Sequence, residues 1–497
     1  MPIVATSPAL AHALTMTLLS SPMSFPRLAA TTILSAALAG CVSLAPAPLS
    51  PPLPVPDDWP ADTVPGAGSS ASTLSWDDYF VDPVLQRLIE TALENNRDLR
   101  VAVLRVEEAR AGFRIQRAEQ FPALGVGAQG ARARVPGDLN AGGQPVVGGE
   151  YRAEVGLSTW ELDLWGRVRN LKASALEQWL ATEAGRHAAE LALIAQVADG
   201  YLSVRELQER VALARRTVET REESFRIFTR RFEVGSASRL ELVQVQTLLT
   251  QAQSLLAQVE QARATQTYAL GQLIGAHPGP LPATAPFDET TVLAELSPGL
   301  PSDLLTARPD IVAAEHLLRA GHADIGAARA AFFPRIALTG SYGSASSELD
   351  GLFESGSRAW TFAPTLSLPI FDGGRRRAEL DLAEVRRDIA IAEYEKSVQT
   401  AFREVADALA ARRWLGEQRD VQRVALAAAT ERARLAQLRY DNGSATYLEV
   451  LDAQRDLLAA EQQLVQARRA LLSGQVALYA ALGGGALSSS PVPASTP

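Results

Sequence analysis

Two stretches of this chain, residues 167 to 277 and 370 to 490, each run for more than a hundred residues without a proline. Both are rich in Ala, Leu, Glu, Gln and Arg, residues that lose little on entering a helix. Gly166 to Arg230 can form one helix of about 65 residues, roughly 100 Å at ~1.5 Å per residue. Globular helices seldom exceed about 25 residues, so a coiled coil or a helical barrel is expected. Gly235 and Gly443 interrupt the runs and read as turns between antiparallel helices. Leu457, Leu464, Leu471 and Leu478 recur every seven residues, and Leu451, Leu458, Val465 and Leu472 form a second seam beside them. Two adjacent seams suit a helix packed on both sides, as in a barrel wall. A simple antiparallel bundle needs only one.

The two stretches belong to a duplicated unit. Arg231-Phe-Glu-Val-Gly-Ser-Ala-Ser-Arg-Leu-Glu-Leu aligns without gaps with Arg439-Tyr-Asp-Asn-Gly-Ser-Ala-Thr-Tyr-Leu-Glu-Val, 208 residues later. Asp163-Leu-Trp-Gly166-Arg167 and Phe371-Asp-Gly373-Gly374-Arg375 keep the same spacing, and Phe121-Pro122 parallels Phe333-Pro334 nearly in register. Leu249, Leu256 and Leu270 match Leu457, Leu464 and Leu478. Coincidence explains one such match but not several in the same order.

Between the landmarks lie alternating segments. Tyr151, Ala153, Val155, Leu157 and Thr159 alternate with Arg152, Glu154, Gly156 and Ser158; Ile336, Leu338, Gly340 and Tyr342 alternate with Ala337, Thr339 and Ser341. Trp360 to Ile370 alternates likewise, and Leu124, Val126 and Ala128 begin a weaker fourth segment. These are period-two strands with one apolar face, each about 10 residues long, the length of a tilted transmembrane strand. The expected strands are ~123–135, ~150–162, ~335–345 and ~359–371, with Gly137 to Gly149 and Ser344 to Ser357 as extracellular loops. Leu366 and Leu368 are expected to face lipid, Thr365 and Ser367 the lumen, and Trp160, Tyr342 and Trp360 the lipid interface. Four strands cannot close a membrane barrel, whose smallest natural form has about eight, so the chain must oligomerise to hide its sheet edges.

The single cysteine of the 497 residues is Cys41. It follows an apolar segment, Leu28 to Ala39, ending Leu38-Ala39-Gly40-Cys41. That reads as a secretory signal over residues 1–40, with its true start at Met23 or Met1, cleaved between Gly40 and Cys41 at a lipoprotein box. A covalent lipid on Cys41 is then the only cofactor-like group expected. Val42 at the next position favours the outer membrane. Residues 41–75 read as a Pro/Ser/Ala-rich tether. Residues 76–275 are the first repeat, 276–300 a Pro-rich connector, 301–484 the second repeat and 485–497 a flexible tail. The formal charge of −9 gives no reason to expect nucleic acid. Beyond the signal no run of about 20 apolar residues offers a transmembrane helix, so a membrane crossing requires a closed barrel.

Together with Asp82-Pro83-x-Leu85-x-x-Leu88, Ala307-Arg308-Pro309-Asp310-Ile311, Phe371-Asp372-Gly373-Gly374 and Gly443-Ser-Ala-Thr-x-Leu-Glu-Val-Leu-Asp452, this plan resembles the TolC/OprM-like outer-membrane efflux factors, in their NodT-type lipoprotein branch. The resemblance implies a mixed α and β fold. Three copies would contribute four strands each to a 12-stranded barrel continuous with a long periplasmic helical barrel and a mixed belt. It implies a homotrimer anchored in outer-membrane lipid. Its partners would be a periplasmic adaptor and an inner-membrane pump, usually of the resistance-nodulation-division (RND) type. Gly235, Ser236, Gly443 and Ser444 would form adaptor-contact tips, and Gly166, Arg167, Gly373 and Gly374 strand-to-helix turns. In the family, acidic residues matching Glu449 and Asp452 line a closed periplasmic aperture. The first repeat offers only Glu241 at the matching positions, with Gln244 at the second. The family's tethering arginine is replaced by Ala445, and Arg439 is near but not at the matching position.

No catalytic or metal-binding constellation is present. His187, His277, His316 and His322 are scattered, and no His-Glu-x-x-His or phosphate loop occurs. A passive conduit needs neither. A lipid-anchored coiled-coil structural protein would lack the four strands, and an adaptor would carry a lipoyl-like domain within its hairpin, which is not seen.

Overall fold

The computed structural model describes residues 44–47, 55–56, 59, 69–70, 74–279, 281, 296–297 and 303–485. The signal, Cys41, most of the tether and connector, and the tail beyond Gly485 lie outside them. Each repeat opens on helix, two in the first, and continues as two strands, a long helix and a shorter helix. The first comprises α1 (Pro83–Asn95), α2 (Arg97–Ala118), β1 (Leu124–Val135), β2 (Val146–Leu162), α3 (Arg167–Glu233) and α4 (Arg239–Ile274). The second comprises α5 (Pro309–Ala330), β3 (Arg335–Ser346), β4 (Arg358–Ser367), α6 (Arg375–Asp441) and α7 (Tyr447–Ala481). Both long helices have 67 residues, about 100 Å at ~1.5 Å per residue.

The strands form one antiparallel sheet in the order β1-β2-β3-β4. Register puts the apolar set on one face. Val126 lies opposite Val155, Val155 opposite Tyr342, and Tyr342 opposite Trp360. Glu154, Ser341 and Thr361 share the other face, where the Ser341 and Thr361 hydroxyls are 2.9 Å apart. A bulge between Leu157 and Trp160 keeps Trp160 and Leu162 on the apolar side.

Two strand boundaries differ from expectation. β2 begins at Val146 because Gly148 and Gly149, read as loop, pair with Ala133 and Arg132. β4 ends at Ser367, not 371, because Pro369 has no N–H for a ladder. Leu366 therefore lies in the strand opposite Ile336, whereas Leu368 lies beyond it.

The helices continue this sheet as a single layer. Nearer the strands, α3 packs between α2 and α5, and α6 packs on α5; farther away α3 packs between α4 and α7, and α6 packs on α7. Both seams of α7 are used: Leu464, Leu471 and Leu478 are buried, and so are Leu451, Val465 and Leu472. The main core lies where α1, the end of α4 and the start of α5 close over α3, α6 and α7. Tyr79 stacks on Tyr479 at 4.3 Å, and their hydroxyls donate to the carbonyls of Gln475 (2.9 Å) and Leu74 (3.0 Å). Ser69–Ser70 pairs in parallel with Leu296–Ser297 beside it.

The sequence landmarks are joints. Asp82 caps α1 through the Val84 amide (2.8 Å) and accepts from the Tyr201 hydroxyl (2.7 Å). Burial and that bond push the Tyr201 phenol up to about 12. Arg308 spans from Asp310 (2.5 Å) to Glu404 (2.8 Å) and the Ala481 carbonyl (3.0 Å). It thereby ties the start of α5 to α6 and the end of α7. Asp163 accepts from the Val168 and Arg169 amides at the start of α3 (3.1 and 2.8 Å). Asp372 does the same for Arg376 at the start of α6 (3.3 Å). Gly166 and Gly374 precede these helices with φ of 78° and 88°, a left-handed bend that strand-to-helix entry requires. Arg167 also closes the turn, donating to Glu161 at 3.0 and 2.8 Å, while Gly373 precedes the bend at φ 66°.

Candidate channel wall and periplasmic tips

Each long helix ends in the same motif. At the first tip the Gly235 amide donates to Phe232 (2.9 Å) and the Ser236 amide to Arg231 (2.8 Å), with Gly235 at φ 78°. At the second the Gly443 amide donates to Tyr440 (2.9 Å) and the Ser444 amide to Arg439 (2.9 Å), with Gly443 at φ 73°. This left-handed termination satisfies the last carbonyls and turns the chain back. Gly235, Ser236, Gly443 and Ser444 are all exposed.

Beyond the turns the tips diverge. Ser238 caps α4 in a reciprocal box: its hydroxyl accepts from the Glu241 amide (3.2 Å), and Glu241 accepts from the Ser238 amide (2.7 Å). Those bonds hold the Glu241 carboxyl below the usual range. Glu241, expected at the aperture, is thus committed to capping. In the second tip Thr446 makes no side-chain cap. Glu449 instead accepts from Arg439 at 2.5 Å, and Arg439 also donates to the Ser444 carbonyl (3.2 Å). Asp452 lies 3.4 Å from Arg455. Both carboxylates are on the first turns of α7 and more than two-fifths exposed. Each acid of the second tip thus has an arginine beside it.

The two hairpins are also tied to each other. Arg231 donates to the Tyr440 hydroxyl. Tyr447 sits 4.6 Å from the Phe228 ring and 5.0 Å from the Tyr440 ring, and its hydroxyl is 2.6 Å from that of Ser224. One turn farther in, Arg221 is buried and donates to the Gln454 amide oxygen (2.9 Å) and the Leu451 carbonyl (3.5 Å). Burial lowers the Arg221 pKa below its usual value. Sequence reading missed this tie. Its signal was the asymmetry between matching positions, Arg221 against Ala429 and Tyr447 against Arg239.

Among the described residues no helix is long and apolar enough to cross a membrane, and no group of His, Cys, Asp and Glu is placed to hold a metal. A four-stranded sheet with one apolar and one polar face, open at both edges and prolonged by a one-layer helical wall, defines a wall subunit of an oligomeric duct. The comparisons agree. The model of outer membrane efflux proteins matches residues 88–276 and 300–484. The outer membrane protein OprJ of Pseudomonas aeruginosa is 44% identical over 467 residues, covering 93% of this chain and 97% of that protein. The toluene efflux pump outer membrane protein TtgI of Pseudomonas putida is 46% identical over 455 residues, covering 90% and 96%. The open state of the MtrE outer membrane channel of Neisseria gonorrhoeae superimposes with a TM-score of 0.82 at 38% identity, covering 89% of this chain and 98% of that one. The chain belongs to the outer membrane efflux protein family. It has the fold of the family's trimeric channels and is the outer-membrane, periplasm-spanning channel component of a tripartite efflux system. Such a protein is a conduit and not an enzyme.

Proposed function

We propose that this chain is a lipoprotein duct of the NodT-type branch. Cys41 carries the lipid, and the tips around Gly235-Ser236 and Gly443-Ser444 meet a periplasmic adaptor that links the duct to an RND pump. The observation that carries the reading is the matched pair of exposed turns at the far ends of two 67-residue helices, remote from the sheet. Only that end of the molecule reaches deep into the periplasm, and both turns present the same backbone to a docking hairpin. Glu449 and Asp452 line the aperture, and the Arg221, Arg231 and Tyr440 contacts hold the hairpins together, the task for which Ala445 offers no side chain.

Site-specific crosslinking tests the docking. Ser236→Cys and Ser444→Cys, carrying a photoreactive group, should capture the adaptor in cells, whereas a probe at Ser347, beside the other end of the molecule, should not. Equal capture from all three positions, or none from the tips, would remove the tip-docking reading. Mass spectrometry of the mature N-terminus tests the anchor: a chain starting elsewhere with an unmodified Cys41 would refute it.

A further inference from the structure

The outward face of the sheet carries charge of one sign only. Register places Arg132 and Arg134 of β1 on the same face as Leu124 and Val126, and Arg358 of β4 on the face of Trp360 and Phe362. The carboxylates of the strands, Glu150, Glu154 and Glu161, all lie on the opposite face, where Glu150 pairs with Arg152 and Glu161 with Arg335. Arg132, Arg134 and Arg358 are exposed, and none has a hydrogen-bond or ion-pair partner among the described residues.

Their height is as informative as their sign. β1 runs from the helical end outward, so Arg132 stands eight residues beyond Leu124; β4 runs inward, so Arg358 stands eight residues outside Leu366. At ~3.3 Å per residue and ~40° tilt, both lie about 20 Å above the start of the apolar band, near its outer edge. Tyr151, Tyr342 and Trp360 occupy the same face just below. The Tyr151 ring lies across Gly130, and its edge and the Ser347 carbonyl crowd Gly149 opposite Arg132, while the Arg132 side chain itself is exposed. β1 and β4 are the two edges of the sheet. In a closed ring Arg358 of one copy therefore flanks the seam that Arg132 and Arg134 of the next flank from the other side.

From this we infer that each seam holds a site for the phosphate groups of an outer-leaflet lipid headgroup. Arginine is the residue that meets phosphate with two parallel hydrogen bonds. Unpaired arginines near mid-membrane would be costly but at the headgroup level cost little. An aromatic belt beneath and basic side chains above match the acyl and anionic parts of one molecule. The inference rests on the reading of this chain as a membrane barrel subunit.

Native mass spectrometry of the purified trimer tests it with two probes, a bisphosphorylated lipid A and the same lipid without phosphates. Wild type should retain the phosphorylated lipid at least tenfold better. The Arg132→Gln, Arg134→Gln, Arg358→Gln variant should lose at least tenfold, while Arg152→Gln, on the lumen face, should bind as wild type. Where the triple variant does not assemble, Arg358→Gln alone should lose at least threefold. Equal retention of both probes, or undiminished retention by the variants, overturns the site. Complete displacement by millimolar inorganic phosphate would make it a free-anion site and overturn the lipid assignment. Conductance of the variants in planar bilayers is read separately: a trimer without a pore would contradict the channel reading, not this one.

Discussion

Arg221 takes a full charge into the contact between α3 and α7 and meets no carboxylate among the described residues; Gln454 and the Leu451 carbonyl accept its hydrogen bonds. The two ways of breaking this contact are unequal. Arg221→Met removes the charge and keeps much of the volume, whereas Gln454→Ala strands a buried guanidinium. We expect Gln454→Ala to destabilise the hairpin contact by about 1 to 3 kcal/mol and Arg221→Met by less. Faster amide exchange over residues 447–454 would report it, with higher single-channel conductance; the reverse ranking would mean that the contact carries little charge penalty. His322 gives a residue-scale pH effect. It is 5% exposed, neither ring nitrogen has a hydrogen-bond partner among the described residues, and burial followed by the nearby Arg387 lowers its pKa. The unfolded imidazole titrates near 6.5, so below that pH the unfolded state takes up the proton first. Stability contributed by neutral His322 is present above about pH 6.5 and is lost as pH falls toward the lower folded value. His322→Gln should flatten the acid limb of thermal unfolding below about pH 6.5, and an unchanged limb would exclude His322 as its source.

At the scale of elements the sheet offers a sharp contrast. Phe362 and Thr361 are neighbours on β4 but face opposite ways, with Phe362 opposite Gly340 and Thr361 opposite Ser341. Phe362 stands midway between Arg358 and Leu366 on β4, so Phe362→Arg should cost about 2 to 4 kcal/mol. Thr361→Arg should fold and shift ion selectivity. Refolding into vesicles measures the first and reversal potential the second, and equal damage would mean the faces are misassigned. The α4 cap gives a smaller effect: Ser238→Ala removes a box that Thr446 does not have, and should cost about 0.5 to 2 kcal/mol in a denaturant titration. Much of this level was legible beforehand. Proline-free runs, the repeat spacing and two leucine seams are local properties, and the helices they announce begin at Arg167 and Arg375, 208 residues apart. The strand ends were less legible, because glycines in the ladder at Gly148 and Gly149 look like loop until a partner strand is known. The tie at Arg221 was illegible for a related reason. Arginines on a long helix normally face solvent, and only the approach of α7 makes this one buried.

At the scale of the whole molecule, the wall leaves its two margins open, β1 with α2 and α4 on one side and β4 with α6 on the other. A heterologous ring of identical copies closes them, and under the proposed reading the tips set its narrow end. Three copies of Glu449 and Asp452 would by themselves make a ring of negative charge that attracts cations. The structure adds Arg439, 2.5 Å from Glu449, and Arg455, 3.4 Å from Asp452. These pairs are solvent-exposed, so each stabilises the tip by no more than about 1 kcal/mol. Their larger consequence is electrostatic: the arginines offset the field of the acids. Two substitutions should then move selectivity in opposite directions. Glu449→Gln with Asp452→Asn removes two negative charges and leaves Arg439 without its carboxylate, while Arg455 keeps Asp456 at 3.1 Å; it should lower cation preference, together with block by multivalent cations from the periplasmic side. Arg439→Gln should raise cation preference above wild type, an outcome that an aperture of acids alone would not produce. Reversal potentials across an asymmetric salt gradient, taken on trimers of verified assembly, distinguish the cases. If Arg439→Gln leaves the potential where it was while the acid variants move it, the arginine does not face the pore. If neither moves it, the second tip does not line the aperture.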